Sequence, residues 1–118
     1  MKLSVIILSV GDVEMLDRCR DWYLKLGLTT SSPDNPGESY WFDTGNNTQL
    51  GVHTGDPVSE PARVHVYLEL DDLDEQYVRL SAAGLGFESA PRLKPWGSDV
   101  SLHDPVGHTI TLVQYKSD

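Results

Sequence analysis

Three polar side chains occupy alternate positions of one apolar run, Val64-His65-Val66-Tyr67-Leu68-Glu69-Leu70. An imidazole, a phenol and a carboxylate at that spacing share one face of a β-strand, because side chains alternate sides along it. Together His65, Tyr67 and Glu69 can hydrogen-bond a ligand, and His65 can also act as a general base. The plain alternative is a core histidine bonded to a neighbour. A buried lone carboxylate is costly, so an inward Glu69 needs a partner, a ligand or a wet rim. His53 falls two residues beyond Gly51 on another alternating run, and with His65 and Glu69 it offers three donors for a metal. Tyr40, Phe42 and Trp96 supply planar surfaces for an aromatic or cationic ligand, with ordinary packing as the alternative. His103 and His108 flank the turn Asp104-Pro105-Val106-Gly107 and are expected to be exposed or to cap it. No Ser-His-Asp ordering, glycine-rich phosphate loop or Cys-His pair stands out.

The elements that must position these groups come in two rounds. Leu3–Val10 reads as a strand, followed by Asp12 as helix cap and an apolar stripe at Val13, Leu16, Cys19, Tyr23 and Leu26 that ends at Gly27. A short strand at Leu28–Ser32 leads into the turn Pro33-Asp34-Asn35-Pro36-Gly37. An aromatic strand at Tyr40-Trp41-Phe42, a hairpin at Gly45-Asn46-Asn47 and a returning strand at Thr48–His53 complete the round. Gly55 to Pro61 is the candidate linker. The second round runs Val64–Leu70, then a helix capped by Asp72 with Glu75 three residues on and carrying Leu73, Tyr77, Leu80 and Ala83 up to Gly84 and Gly86. A strand at Phe87–Ala90, a loop at Pro91–Trp96, and strands at Ser98–His103 and Thr109–Gln114 follow. Asp12 and Asp72 are separated by 60 residues, and Ile6/Val66, Leu8/Leu68 and Val10/Leu70 keep that spacing. The alternation predicts Val5, Ile7, Ser9, His65, Tyr67 and Glu69 on one face, and Ile6, Leu8, Val10, Val66, Leu68 and Leu70 against the helices. A slip of one residue would exchange the two sets. The expected fold class is α+β: two tandem βαβββ modules, with helices on one face of a largely antiparallel sheet. The 118 residues amount to a single domain, with module one at about 1–55 and module two at about 62–118.

The formal net charge of −9 argues against a nucleic-acid surface, which needs clustered Lys and Arg. It favours a cationic or neutral ligand over an anionic one, or simply keeps the protein in solution. One cysteine, Cys19, excludes an internal disulfide, fits a reducing compartment, and reads as packing. The apolar start ends in Gly11-Asp12 without a cleavage pattern, and no segment is long enough to span a bilayer, so a cytoplasmic protein is expected.

In order along nearly the whole chain, four stretches resemble the vicinal oxygen chelate superfamily of glyoxalases, bleomycin-resistance proteins and extradiol dioxygenases. They are the strand entering Asp12, Trp22-Tyr23 before Leu26-Gly27-Leu28, His65 to Asp72, and Asp104-Pro105-Val106-Gly107-His108. The resemblance implies paired βαβββ modules forming a curved, largely antiparallel sheet around a cavity, with Val5, Ile7, Ser9, His65, Tyr67 and Glu69 lining it, and a homodimer that completes it. It also implies four metal-ligand positions, which fall here on Val5, Gly51, His65 and Thr111. Valine and glycine bring no donor and threonine is a poor one, whereas a catalytic metal normally keeps three protein ligands. The expectation is therefore a binding protein without metal or other cofactor, leaning non-enzymatic, that captures a small, partly aromatic molecule with His65, Tyr67, Glu69, His53, Trp96, Tyr40, Phe42 and Ser9. The alternative is a lyase or isomerase with displaced metal ligands, or a metal-free catalyst built on His65.

Overall fold

Alternation fixes the first strand: β1 (Val5–Ser9) turns Leu8, and beyond it Val10, inward, while Ile7 remains 53% exposed. The computed structural model describes residues 3–31, 35–55 and 64–116. The chain separates into two units, Met1–Arg63 and Val64–Asp118. In the first unit, helix α1 (Val13–Leu26) begins where Asp12 Oδ1 accepts the Met15 N–H at 2.9 Å, a cap that contributes about 1 kcal/mol. It ends at Gly27, whose φ of 116° only glycine adopts readily. Its buried stripe is Leu16, Cys19, Tyr23 and Leu26, each aliphatic side chain contributing roughly 1.5–3 kcal/mol of burial. Val13 stays exposed, although the apolar spacing had included it. Strands β2 (Thr29–Thr30), β3 (Ser39–Gly45) and β4 (Thr48–His53) complete a four-stranded sheet in the order β1-β4-β3-β2. The β3–β4 hairpin turns through Asn46 and Asn47, both at positive φ as a tight hairpin requires. Of the turn expected at Pro33–Gly37, the described residues show Asn35 accepting the Glu38 and Ser39 N–H groups. The linker expected beyond Gly55, up to Pro61, lies outside the described residues.

The second unit repeats the plan with β5 (His65–Glu69), helix α2 (Leu73–Ala82), β6 (Arg92–Lys94), β7 (Gly97–His103) and β8 (Thr109–Tyr115). Its sheet order is β5-β8-β7-β6. In each sheet the first and last strands pair in parallel and the other two ladders are antiparallel, so both sheets are mixed and neither closes into a barrel. The duplication survives at the level of register. Val5 lies opposite Gln49 as His65 lies opposite Thr109, and Trp41 opposite Gly51 as Ser101 opposite Thr111, each residue sixty beyond its counterpart.

Two sequence expectations fail in the second unit. Phe87–Ala90 is not a strand: Phe87 makes one bridge to Leu102, the Glu88 N–H bonds the Ser101 carbonyl at 3.0 Å, and the pairing stops before Pro91, which has no N–H to give. The outer strand forms instead within Pro91–Trp96, expected as loop, where the two-residue turn Pro95-Trp96 folds β6 back along the start of β7. Gly97 permits this fold, since a Cβ there would stand 2.0 Å from the Gln114 carbonyl oxygen. The second failure is the cap. Asp72 accepts no backbone N–H into its side chain, and its φ of −135° and ψ of 52° differ from the extended geometry of Asp12. The Leu73 N–H is satisfied by Gln114 Oε1 at 2.9 Å, while Asp72 receives the Gln76 side chain. Glu75 therefore completes no capping box.

The core of this unit joins Leu73 and Leu80 of α2 to Val66, Val100, Leu102, Ile110 and Leu112. Tyr77 is half-buried, its ring against Phe87, and Ala83 lies past the helix end. Among the described residues, no helix is long and apolar enough to cross a membrane.

Candidate functional site

In both units one sheet face is covered by its helix and the other carries the candidate chemistry. On the uncovered face of the second sheet, His65 Nε2 lies 2.7 Å from Thr111 Oγ1, which lies 2.7 Å from Ser101 Oγ. The three side chains come from β5, β8 and β7: pairing sets Ser101 opposite Thr111, while His65, itself opposite Thr109, reaches Thr111 diagonally. The Tyr67 ring stacks on His65 with centroids 4.6 Å apart and planes 17° from parallel. His65 and Tyr67 are both exposed, so this histidine is not packed against the helix. Thr111 has a single proton to give, so the chain can be polarised two ways. Either Ser101 donates to Thr111 and Thr111 to Nε2, or Nε2–H donates to Thr111 and leaves the Ser101 proton free for a ligand. His65 Nδ1 makes no hydrogen bond among the described residues and is the ring atom open to a ligand.

Around these groups lies a recess of about 100 Å³, also lined by Glu88, Ser89, Arg92, Lys94 and Asp99. Ligand pockets usually run to about 300–1,000 Å³, so this recess accommodates one functional group of a ligand. Arg92 Nε donates to Ser89 Oγ at 3.3 Å. Glu88 is engaged by His103 Nε2 at 2.6 Å.

Of the remaining expected residues, those of the second unit lie outside the recess. Tyr40 and Phe42 lie on the helix side of the first sheet, 7% and 1% exposed. The Tyr40 hydroxyl donates to Asp17 Oδ1 and its ring lies under Arg20, while Phe42 packs on Tyr23. Their rings are core and offer no surface to a ligand, because they alternate with Trp41, which takes the uncovered face. Ser9 and His53 sit opposite one another on the uncovered face of the first sheet, both exposed. Glu69 is exposed at the end of β5, outside the recess. Trp96 packs on Tyr115 at 5.7 Å, four residues along β8 from Thr111, and does not line the recess. His103 is exposed, as expected. His108 is buried rather than exposed, and its Nδ1 accepts the Val64 N–H at 2.9 Å, which places the ring proton on Nε2. Asp104 holds the turn, its Oδ1 accepting the N–H groups of Val106, Gly107 and His108. Sequence reading missed Ser101, Arg92 and Lys94. The repeat pointed to Ser101, since it falls sixty beyond Trp41 and therefore faces Thr111 as Trp41 faces Gly51.

The donor set does not fit a metal at the positions implied by the resemblance. Val5 and Gly51 present no donor atom, and the Trp41 ring lies over Gly51, with Cζ3 2.5 Å from where a Cβ would stand. Trp41 is held there by its Nε1–H, which donates to Ser39 Oγ at 3.2 Å. In the second unit His65 Nε2 is engaged with Thr111. Within neither unit do three His, Cys, Asp or Glu side chains among the described residues gather to hold a metal.

Among solved structures, the fold matches the lactoylglutathione lyase of Agrobacterium tumefaciens with a TM-score of 0.75 and 19% identity over 96% of this chain and 92% of that one. TioX from Micromonospora sp. ML1 matches with a TM-score of 0.75 and 21% identity, over 98% of this chain and all of its own (100%). A bleomycin-binding protein complexed with bleomycin matches with 0.73 and 24% identity, over 98% and 99%. No curated protein matches the chain. The model of the Glyoxalase/Bleomycin resistance protein/Dioxygenase superfamily matches residues 3–112. With its doubled strand–helix–strands plan and sixty-residue register, the chain belongs to that superfamily.

Proposed function

We propose that this chain is a small-molecule binding member of its superfamily that works without the superfamily's metal and captures a small, partly aromatic ligand as a cytoplasmic homodimer. The observation that carries this reading is the Trp41 ring seated on Gly51, which fills the room a ligating side chain would need. The engagement of His65 Nε2 by Thr111 supports it, and so does the neighbour solved with bleomycin bound. Ser9, His53, His65, Tyr67 and Glu69 on the uncovered faces are the groups proposed to meet the ligand, with Trp96 at the rim of its sheet. Exposed apolar side chains on those faces, Ile7 and Tyr67 among them, are the surfaces a second copy would cover. A monomeric mass in light scattering would refute the dimer.

Metal titration tests the central claim. Zn²⁺, Ni²⁺ or Mn²⁺ is expected to leave the melting temperature essentially unchanged. A metal bound at a hundred times its dissociation constant would add about 2.7 kcal/mol, a shift of several degrees. Such a shift, lost in His65→Ala, would overturn the reading. The hydroxyl–imidazole chain favours a second reading, metal-free acid–base catalysis by His65. Turnover of a bound molecule that survives chelation and is lost in His65→Ala would establish it.

A further inference from the structure

We infer that the recess beside His65 is an oxyanion subsite, taking a carboxylate- or phosphate-sized terminus of the ligand; this rests on the small-molecule reading above. The charge distribution within the second unit points to it. Its described residues include four basic side chains, Arg79, Arg92, Lys94 and Lys116. Two of the four, Arg92 and Lys94, line this one recess. Neither is joined to an acid by an ion pair among the described residues. Arg79, by contrast, points its Nε–H at Gln76 on the outside of α2. Alternation along β6 puts Arg92 and Lys94 on the same face, and register sets them against Asp99 and Gly97 of β7.

The neutral groups of the recess can add donors. When His65 Nε2–H donates to Thr111, Thr111 donates to Ser101 and the Ser101 hydroxyl is free to donate to the ligand. An anion would select that polarisation of the chain, with the Arg92 fork supplying paired N–H groups matched to two oxygens. The volume of about 100 Å³ accommodates a group of that size.

Two acids share the space. Glu88 is already engaged by His103. Asp99 carries no partner among the described residues and opposes an anion. The net charge of −9 opposes one as well, but over a Debye length of about 10 Å in 0.1 M salt the nearby donors dominate. Asp99 therefore makes the sign of the site testable, because its removal must help an anion and hurt a cation.

The experiment is an amide chemical-shift titration of the full chain at fixed ionic strength with benzoate, phenyl phosphate, benzamide and benzylammonium. Benzoate or phenyl phosphate is expected to move the amides of His65, Arg92, Ser101 and Thr111 saturably, and whichever binds more tightly identifies the oxyanion. Benzamide should bind about tenfold more weakly there, the scale of one charge-assisted hydrogen bond. Arg92→Gln and Lys94→Gln should each weaken the anion by a similar factor, and Asp99→Asn should tighten it. Preference for benzylammonium, or tighter anion binding in Arg92→Gln, would overturn the subsite. Benzamide binding equally well elsewhere on the chain would overturn it too, while leaving the small-molecule reading in place. Binding of none of the four would sink both.

Discussion

The two uncovered sheet faces descend from one plan and have diverged at equivalent positions. In the first, Val5, Gly51 and Trp41 stand where the second has His65, Thr111 and Ser101. At these positions the first is apolar, an indole lying on a glycine backbone, while Ser9 and His53 stand exposed further along the same face. The second has become polar and open, an imidazole and two hydroxyls in contact beside a recess. Ladder pairing matches between the two units while the side chains it carries differ. The backbone hydrogen bonds that set register do not depend on which side chain stands on the uncovered face, whereas the helix-covered faces stay apolar in both units because the core demands it.

The sharpest break in this comparison lies at Gly97 and at Gly37, sixty residues earlier. Both have positive φ, but a Cβ meets open space at Gly37 and a carbonyl oxygen at Gly97. Gly97→Ala should cost about 3–5 kcal/mol and Gly37→Ala about 1 kcal/mol, read from urea denaturation midpoints. Equal costs would show that the two positions are still equivalent. Next is Gly51→Ala, which drives a Cβ into the Trp41 ring and should cost about 1–3 kcal/mol. Adding Trp41→Ser, the residue type found sixty positions on, should recover most of the loss. Failure of that rescue would mean that Gly51 is required for some reason other than the indole.

The helix caps come next and end in the smallest expected effect. Gln114→Leu should cost about 1–3 kcal/mol by leaving the Leu73 N–H unmet. Asp12→Ala should cost about 1 kcal/mol, and Asp72→Ala only a few tenths, because Asp72 holds one exposed side-chain contact. A loss at Asp72 as large as at Asp12 would contradict the assignment of the second cap to Gln114.

Those same residues show what could be read from letters alone. The alternation before Asp12 and Asp72 is legible and puts Leu8, Val10 and Val66 on the helix-covered face and Ile7, His65 and Tyr67 on the other. Two identical aspartates were read as identical caps, yet capping depends on backbone angles that the letter does not carry. Tyr40 and Phe42 were misplaced because aromatic type was given more weight than their alternation with Trp41. Arg92-Leu93-Lys94 was passed over because three residues between prolines have too short a pattern to show a period. His65 was found from its own strand, whereas Ser101, Arg92 and Lys94 reach it only through pairing with strands far along the chain.

The donor arrangement at the second helix has a consequence for the order of folding. Helix α1 closes its first turn with an aspartate three residues away. The second unit has no such local closure: its entry at Val64 is held by His108, 44 residues on, and the start of α2 by Gln114, 41 residues on. Contacts of that separation form late, since the intervening loop must be closed before they contribute. A chain emerging from the ribosome N-terminus first can cap its first helix at once. It holds the second helix uncapped until β8 has been made, so the last strand acts as a clasp that completes a helix begun some forty residues earlier.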